Sequence, residues 1–141
     1  MQRFSESILR VRYAETDQMG VVYYSNYLVW MEIGRTDFCL MSGFRYSDME
    51  AKDGVMIAVA EARCHYRKPA RYDDEILIQT SLTALKRRTM TFAYKILNAD
   101  STDVLADATT VHVAIGRDGR PSTIPRKQFA FLSEFMVSAS T

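Results

Sequence analysis

The sequence predicts an α+β fold in which an antiparallel sheet covers one long, mostly enclosed helix. Two patterns support this prediction. Residues 25–42 are apolar around most of a helical wheel, and residues 55–115 alternate as a series of long strands between short turns. Strands and helices do not alternate, which disfavours a doubly wound parallel sheet. The 141 residues suit one domain, expected to span residues 1–141.

The first strand is expected over residues 8–14, where polar and apolar side chains alternate. This alternation directs Leu9, Val11 and Tyr13 to the face expected to point inward. The helix follows over residues 25–42, and its only polar stripe is narrow: Ser25, Glu32, Arg35 and Thr36.

Gly43 is a plausible C-terminal cap for the long helix, and residues 46–52 can form a second, short one. The strand expected over residues 56–66 has one face of mainly small residues, which would let the long helix approach closely. Further strands are expected over residues 75–85, 89–98 and 104–115, and a terminal helix over residues 126–137.

Composition narrows the classes of function. The chain is 48% hydrophobic and 25% charged, which is too apolar for a disordered protein. Its net charge of +1 gives no argument for nucleic acid, so any anion site must be local. Cys39 and Cys64 are expected to be small buried residues, with neither a disulfide nor a metal site. Without a secretory leader or a membrane-spanning stretch, the expected compartment is the cytoplasm.

Residues 13–27 combine a carboxylate, a tight turn and the start of the apolar helix. Asp17 can bond the local backbone, and Gly20 accepts a positive φ angle. The helix that follows begins with unpaired N–H groups, which favour a negatively charged oxygen. This segment is therefore the first candidate for chemistry. The alternative is that Asp17 only holds the turn or caps the helix.

The same segment is similar to a known family signature. Asp17, Gly20, residues 21–23, residues 26–27 and then residues 35–36 resemble the motif of the 4-hydroxybenzoyl-CoA thioesterase family. The resemblance continues through residues 69–74 and 86–88 and covers roughly residues 8–125. It implies the hotdog fold, a curved antiparallel sheet wrapped around a central helix. It also implies an acyl-CoA thioesterase acting on short-chain or aromatic substrates, with no cofactor because coenzyme A is part of the substrate.

The resemblance assigns roles to individual residues. Asp17 would attack the thioester directly or activate a water, and both routes stay open. The backbone N–H of Tyr24 would polarise the thioester carbonyl. The side chain of Tyr24 has no assigned role, because many bacterial relatives carry histidine there. Gly20 would let the chain approach the acyl group. Tyr23 and Tyr27 would shape the acyl pocket, although Tyr27 also suits simple core packing.

Coenzyme A carries phosphates, so a local basic site is expected. The family binds them with a basic run at the position of Lys86, Arg87 and Arg88, and arginine forks well to phosphate oxygens. The alternative is that these turn residues are only solvated. Arg67, Lys68 and Arg71 form a second cluster, for which a loop role is equally suitable.

Other acids and bases are weaker candidates. Glu32 can pair with Arg35 or Thr36, and Glu61 with Arg63. His65 and His112 are interpreted as structural, and the lack of a Gly-x-Ser-x-Gly motif disfavours a serine hydrolase.

Competing functions are hydrolysis of acyl groups on acyl carrier protein, a dehydratase, and a non-catalytic acyl-thioester binder. No nucleic acid or membrane partner is expected. The resemblance and the exposed sheet edge predict a homodimer, and a homotetramer through the face carrying Glu61, Arg63 and His65.

Overall fold

The computed structural model describes residues 2–137, and the chain folds there into a five-stranded antiparallel sheet with a long helix on one face. The strands are β1 (Phe4–Arg10), β2 (Met56–Tyr66), β3 (Glu75–Leu85), β4 (Thr89–Asn98) and β5 (Val104–Ile115). Their order in space is β1-β3-β4-β5-β2, so β1 and β2 are the edges. The predicted α+β architecture is confirmed.

Three α-helices and a short 3-10 helix (Tyr13–Glu15) lie among the described residues. The long helix α1 (Asn26–Ser42) ends at Gly43, whose N–H donates to the carbonyl oxygens of Cys39 and Leu40. A short helix α2 (Tyr46–Asp48) continues into a π-helical turn (Met49–Asp53). The terminal helix α3 (Arg126–Ser133) is shorter than the predicted range. None of the helices that the structure describes is both long and apolar enough to cross a membrane.

The first strand differs from its prediction. It begins at Phe4 and ends at Arg10, and its inward residues include the buried Ser5 and Ser7. Ser7 Oγ donates to Asp37 Oδ2 of α1 at 2.6 Å. Because these inward residues are hydroxyls with partners in the helix, the start of the strand has no apolar alternation to reveal it. Leu9 and Val11 do point inward as predicted, whereas Tyr13 is 77% exposed.

The helix packs on β1 and β3, so the prediction that the small-residue face of β2 is its partner is wrong. The close approach occurs at Gly34. A Cβ atom there would collide with Thr80 Oγ1 and lie 3.1 Å from Ile78 Cγ2. The absence of a side chain at Gly34 therefore sets the distance between α1 and β3. The core is completed by buried residues of the neighbouring strand, including Phe92 and Ile96.

Strand β2 contains a bulge that the alternation does not reveal. Val59 pairs with His112 and Glu61 with Val111, which leaves Ala60 without a paired residue. The bulge moves the residues before it to the opposite face, so Val59 shares the helix-side face with Tyr66. Most of β2 is exposed on both faces. The long edge strand is thus left without the apolar cover that the other strands receive.

Candidate active site

Asp17 occupies a tight turn just before α1, as predicted. Its carbonyl oxygen accepts the N–H of Gly20 at 2.9 Å, and its own N–H donates to Val21 at 2.9 Å. Oδ1 accepts the N–H of Met19, also at 2.9 Å. Gly20 has a φ angle of 78°, in the left-handed region that favours glycine. The half-buried side chain keeps Oδ2 without a hydrogen-bond partner in residues 2–137.

The peptide of Tyr24 lies next to this turn, at the start of α1. Its carbonyl oxygen accepts the N–H of Tyr27 at 3.2 Å and the phenol of Tyr66 at 3.0 Å. Within the described part of the chain, its N–H has no acceptor. Burial raises the pKa of Tyr66, so its phenol stays protonated and can donate. Tyr66 therefore holds the peptide while the N–H stays available to a ligand.

Asp17 and Tyr24 border one open depression of about 450 Å³. Tyr23 and Tyr24 form its aromatic wall, with ring centroids 4.7 Å apart, and Tyr24 is 59% exposed. Tyr27 is only 3% exposed, and its ring packs against those of Trp30 and Tyr66. The depression is also bordered by Met19, Val21, Val22, Arg67, Lys68 and Pro69. Tyr27 thus belongs to the core and also lines the depression.

Glu15 fixes this segment to the helix, a role that the sequence did not reveal. It is 5% exposed, and its carboxylate accepts the Arg12 N–H at 2.8 Å and the Trp30 indole N–H at 2.9 Å. Burial raises the pKa of Glu15, but these hydrogen bonds and the Arg12 charge outweigh it and hold the pKa below its usual value. Its carbonyl oxygen accepts the N–H of Tyr23. Two carboxylates of one motif therefore differ: Glu15 is buried and anchored, and Asp17 faces the depression.

We call this region the carboxylate end: Asp17, Tyr24, Tyr66 and the cations beside them. Those cations are already paired. Arg67 bonds Asp107 at 2.5 Å, and Lys68 lies 3.4 Å from Asp103. These contacts fit the loop role that the sequence allowed for the second basic cluster, Arg67, Lys68 and Arg71.

The predicted phosphate-binding residues lie elsewhere, in the turn between β3 and β4. The carbonyl oxygens of Arg87 and Arg88 accept the N–H groups of Ile124 and Ala114, each at 2.8 Å. Arg87 borders a depression with Arg126 at the start of α3. We call this region the basic end: Lys86, Arg87, Arg88, Arg126 and Lys127. Within residues 2–137, these five cations form no ion pair.

The two ends lie at opposite termini of β3. The carboxylate end adjoins the start of that strand, because Val11 bonds Asp74 and Val22 bonds Ala70. The basic end follows its last residue, Leu85. A strand rises about 3.3 Å per residue, so roughly 30 Å separate the two ends. One protomer therefore does not bring Asp17 and the basic run together.

The weaker candidates take no part in this site. Glu61 bonds Arg63 at 2.6 Å, as predicted. His112 is buried and bonds Thr110 Oγ1 at 2.7 Å, as the structural interpretation expects, and His65 is exposed. Cys39 is buried, Cys64 is half-buried, and both are free thiols. No group of three potential metal ligands occurs in the residues that the structure describes.

Comparisons with known proteins agree with this architecture. Residues 11–135 match the model of the thioesterase-like superfamily. A Bacillus subtilis relative named "Putative acyl-CoA thioesterase YneP" is 38% identical over 125 residues, which are 89% of each chain.

Solved structures extend the likeness. A 1,4-dihydroxy-2-naphthoyl-CoA (DHNA-CoA) thioesterase from Staphylococcus aureus is 30% identical, with a TM-score of 0.88 over 93% of this chain and 89% of its own. The 4-hydroxybenzoyl-CoA thioesterase from Pseudomonas sp. strain CBS-3 has a TM-score of 0.83 over 92% of this chain and 99% of its own, at 18% identity. At that identity the likeness shows the fold alone, so the predicted hotdog fold is confirmed and the narrower family stays a prediction.

Proposed function

Because the chain belongs to the thioesterase-like superfamily, we propose that it is a thioester hydrolase that cleaves acyl-coenzyme A. The names of relatives that cover most of the chain support this class of reaction. We propose short-chain or aromatic acyl groups, because tyrosine rings wall the open depression.

The observation that carries the proposal is the pairing of two groups in one depression. Asp17 offers a carboxylate oxygen without a partner, and Tyr24 offers an N–H without an acceptor, both within residues 2–137. Thioester hydrolysis needs an attacking or water-activating group and a donor for the oxyanion. A preorganised donor of this kind contributes about 3 kcal/mol to transition-state stabilisation.

Two routes satisfy the chemistry with the same residues. In the first, Asp17 attacks the thioester carbon, the C–S bond breaks, and water hydrolyses the resulting mixed anhydride. In the second, Asp17 takes a proton from water as that water attacks, and the proton passes to the leaving thiolate. In both, the Tyr24 N–H stabilises the oxyanion, and the products are a carboxylic acid and the coenzyme A thiol.

We propose that the basic end binds the phosphates of coenzyme A, and that it does so for the site of a second protomer. Strand β2 is an exposed edge that runs from beside the basic end, at Met56, to the carboxylate end, at Tyr66. A two-fold pairing of β2 with its copy is antiparallel. It would therefore set Tyr66 of each protomer near Met56 of the other, and join each carboxylate end to a basic end.

The β2 edge exposes apolar side chains that a second copy of the chain would cover. Met56, Val59 and Tyr66 on β2 are 40–53% exposed. Exposed apolar residues of α1, namely Leu28, Val29, Ile33 and Leu40, add to this surface. A long unpaired edge otherwise favours aggregation, so we propose a homodimer, which can pair further into a homotetramer. An acidic acyl carrier protein would meet the same basic end, and it remains the alternative carrier of the acyl group.

The test is hydrolysis of a panel of acyl thioesters on coenzyme A and on acyl carrier protein. Asp17→Asn is expected to lower kcat by about a thousandfold or more, in the range seen when catalytic side chains are removed. Asp118→Asn is the matched control, because Asp118 Oδ1 also accepts the N–H two residues ahead, at 3.0 Å, in a glycine-containing turn. Equal activity of wild type and Asp17→Asn would contradict the assignment. No turnover by the wild type on any substrate would support a non-catalytic binder instead.

A further inference from the structure

A second cavity of about 210 Å³ borders the middle of α1, away from the start of that helix. It shares no lining residue with the depression at Asp17. Arg35 and Cys39 of α1 border it, together with Phe44, Met90 and Phe92. Arg35 follows Tyr24 by eleven positions, so about 16 Å of helix separates the cavity from the candidate oxyanion donor.

Arg35 is half-buried at this cavity and is poorly satisfied. Its guanidinium donates to the Tyr94 hydroxyl at 3.3 Å. It forms no ion pair with any carboxylate in residues 2–137, so the predicted pairing with Glu32 does not occur there. Guanidinium has several N–H donors, and anionic oxygens are their strongest partners.

The hydroxyl that accepts from Arg35 belongs to a short hydrogen-bonded chain of side chains. The Tyr94 hydroxyl lies 2.6 Å from Thr110 Oγ1, and that oxygen lies 2.7 Å from His112 Nε2. Burial, and to a lesser extent the Arg35 charge, lower the pKa of His112 to about 4. Burial raises the pKa of the Cys39 thiol to about 12. At neutral pH, therefore, neither residue carries a charge, and Arg35 is the cation that borders the cavity.

We propose that this cavity binds the carboxylate form of a small aromatic or short aliphatic acid. The carboxylate would pair with Arg35, and the apolar body would lie against Phe44, Met90 and Phe92. A cavity of about 150 Å³ accommodates benzene, so the volume here admits a ring with one or two small substituents. Glu32 stands exposed at the same cavity, and its negative charge opposes the bound acid.

The proposed function gives this ligand a source, since thioester hydrolysis releases a carboxylic acid. The identification of the ligand as a product rests on that proposed function, whereas the binding itself does not. A product acid held here would occupy a site separate from the depression of the same protomer.

Benzoate is the probe, titrated while the methionine methyl groups are followed by NMR. Met49 and Met90 border the cavity, and Met19 borders the depression at Asp17. Saturable shifts are expected at Met49 and Met90. Shifts confined to Met19, or no saturable binding by the wild type, would overturn the inference.

Two variants with opposite expected signs sharpen the test. Arg35→Gln is expected to weaken benzoate binding by at least tenfold, and Glu32→Gln is expected to strengthen it severalfold. Benzyl alcohol, the uncharged probe, should bind the wild type and Arg35→Gln equally. Arg45→Gln, a substitution of an exposed arginine beside the cavity, should leave benzoate affinity unchanged. Since Glu32 is exposed, Glu32→Gln keeps the test decisive even if Arg35→Gln does not fold.

Asp17→Asn separates this inference from the proposed function. Benzoate affinity in that variant should equal that of the wild type, whatever its activity. If Asp17→Asn changed benzoate affinity and Arg35→Gln did not, the acid would be bound in the depression, and the cavity inference would fail while the proposed function stood.

Discussion

The carboxylate end and the basic end contain complementary halves of the proposed thioesterase site. The carboxylate end has Asp17, the Tyr24 N–H and an aromatic wall, but its cations Arg67 and Lys68 are paired with aspartates. The basic end has cations without ion pairs in the described residues and no comparable carboxylate in its depression. The residues proposed for chemistry and those proposed for phosphate binding are therefore separated within one protomer. Pairing of the β2 edges between two protomers would reunite them.

The largest expected effect outside catalysis is on the folding stability that Glu15 gives to the carboxylate end. Glu15→Gln removes a buried charge that accepts two hydrogen bonds, from Arg12 and the Trp30 indole. We expect a loss of about 2–3 kcal/mol in the free energy of unfolding, measured in urea by the fluorescence of the single tryptophan. Asp17→Asn, whose amide oxygen can still accept the N–H of Met19, should cost less than about 1 kcal/mol.

The stabilising effect of Glu15 is expected to depend on pH. The folded-state pKa of Glu15 lies below its unfolded value. Its contribution is therefore fully present above the unfolded pKa, about 4.3, and is lost as the pH falls through the folded pKa. Wild type should lose stability relative to Glu15→Gln on acidification. A constant difference between the two proteins from pH 7 to pH 3 would contradict the anchoring role.

A smaller effect is expected at the basic end. The double substitution Arg87→Ala with Arg88→Ala should raise KM for acyl-CoA by about tenfold, or 1.4 kcal/mol, with kcat nearly unchanged. With an acyl-pantetheine, which has no nucleotide phosphates, the same variant should match the wild type. Arg67→Ala with Lys68→Ala is the matched control and should change KM by less than about twofold, because those cations are already paired. A larger effect of the control pair would reverse the comparison of the two ends.

Much of the fold could be predicted from the sequence, because β2 to β5 alternate and end at turn residues. The predicted bounds of these four strands agree with the structure. The predicted bounds of β1 were wrong because Ser5 and Ser7 point inward and donate hydrogen bonds to α1. Hydropathy does not register such contacts. The predicted packing partner of α1 was wrong because the close approach of α1 to β3 depends on Gly34 and Thr80, which are far apart in the chain.

The candidate site was predictable where it is local and not where it depends on packing. The Asp17 turn follows from short-range sequence, and the Tyr24 peptide was selected through the family resemblance and the expected start of the helix. Glu15, Tyr66 and Arg35 were not singled out from the sequence, because their surroundings come from other elements. An acid two positions before Asp17, with a tryptophan at the first buried turn of the helix, is the signal that could have revealed Glu15.

The most direct test of the two-protomer site is activity in mixed dimers. Differently tagged chains carrying Asp17→Asn or the Arg87→Ala, Arg88→Ala pair would be combined, purified through both tags, and assayed below the wild-type KM. If each site takes Asp17 from one protomer and its arginines from the other, one site in the mixed dimer is intact, and activity should approach half that of the wild type. Activity no higher than the mean of the two parent variants, or an active protein that remains monomeric, would contradict the account.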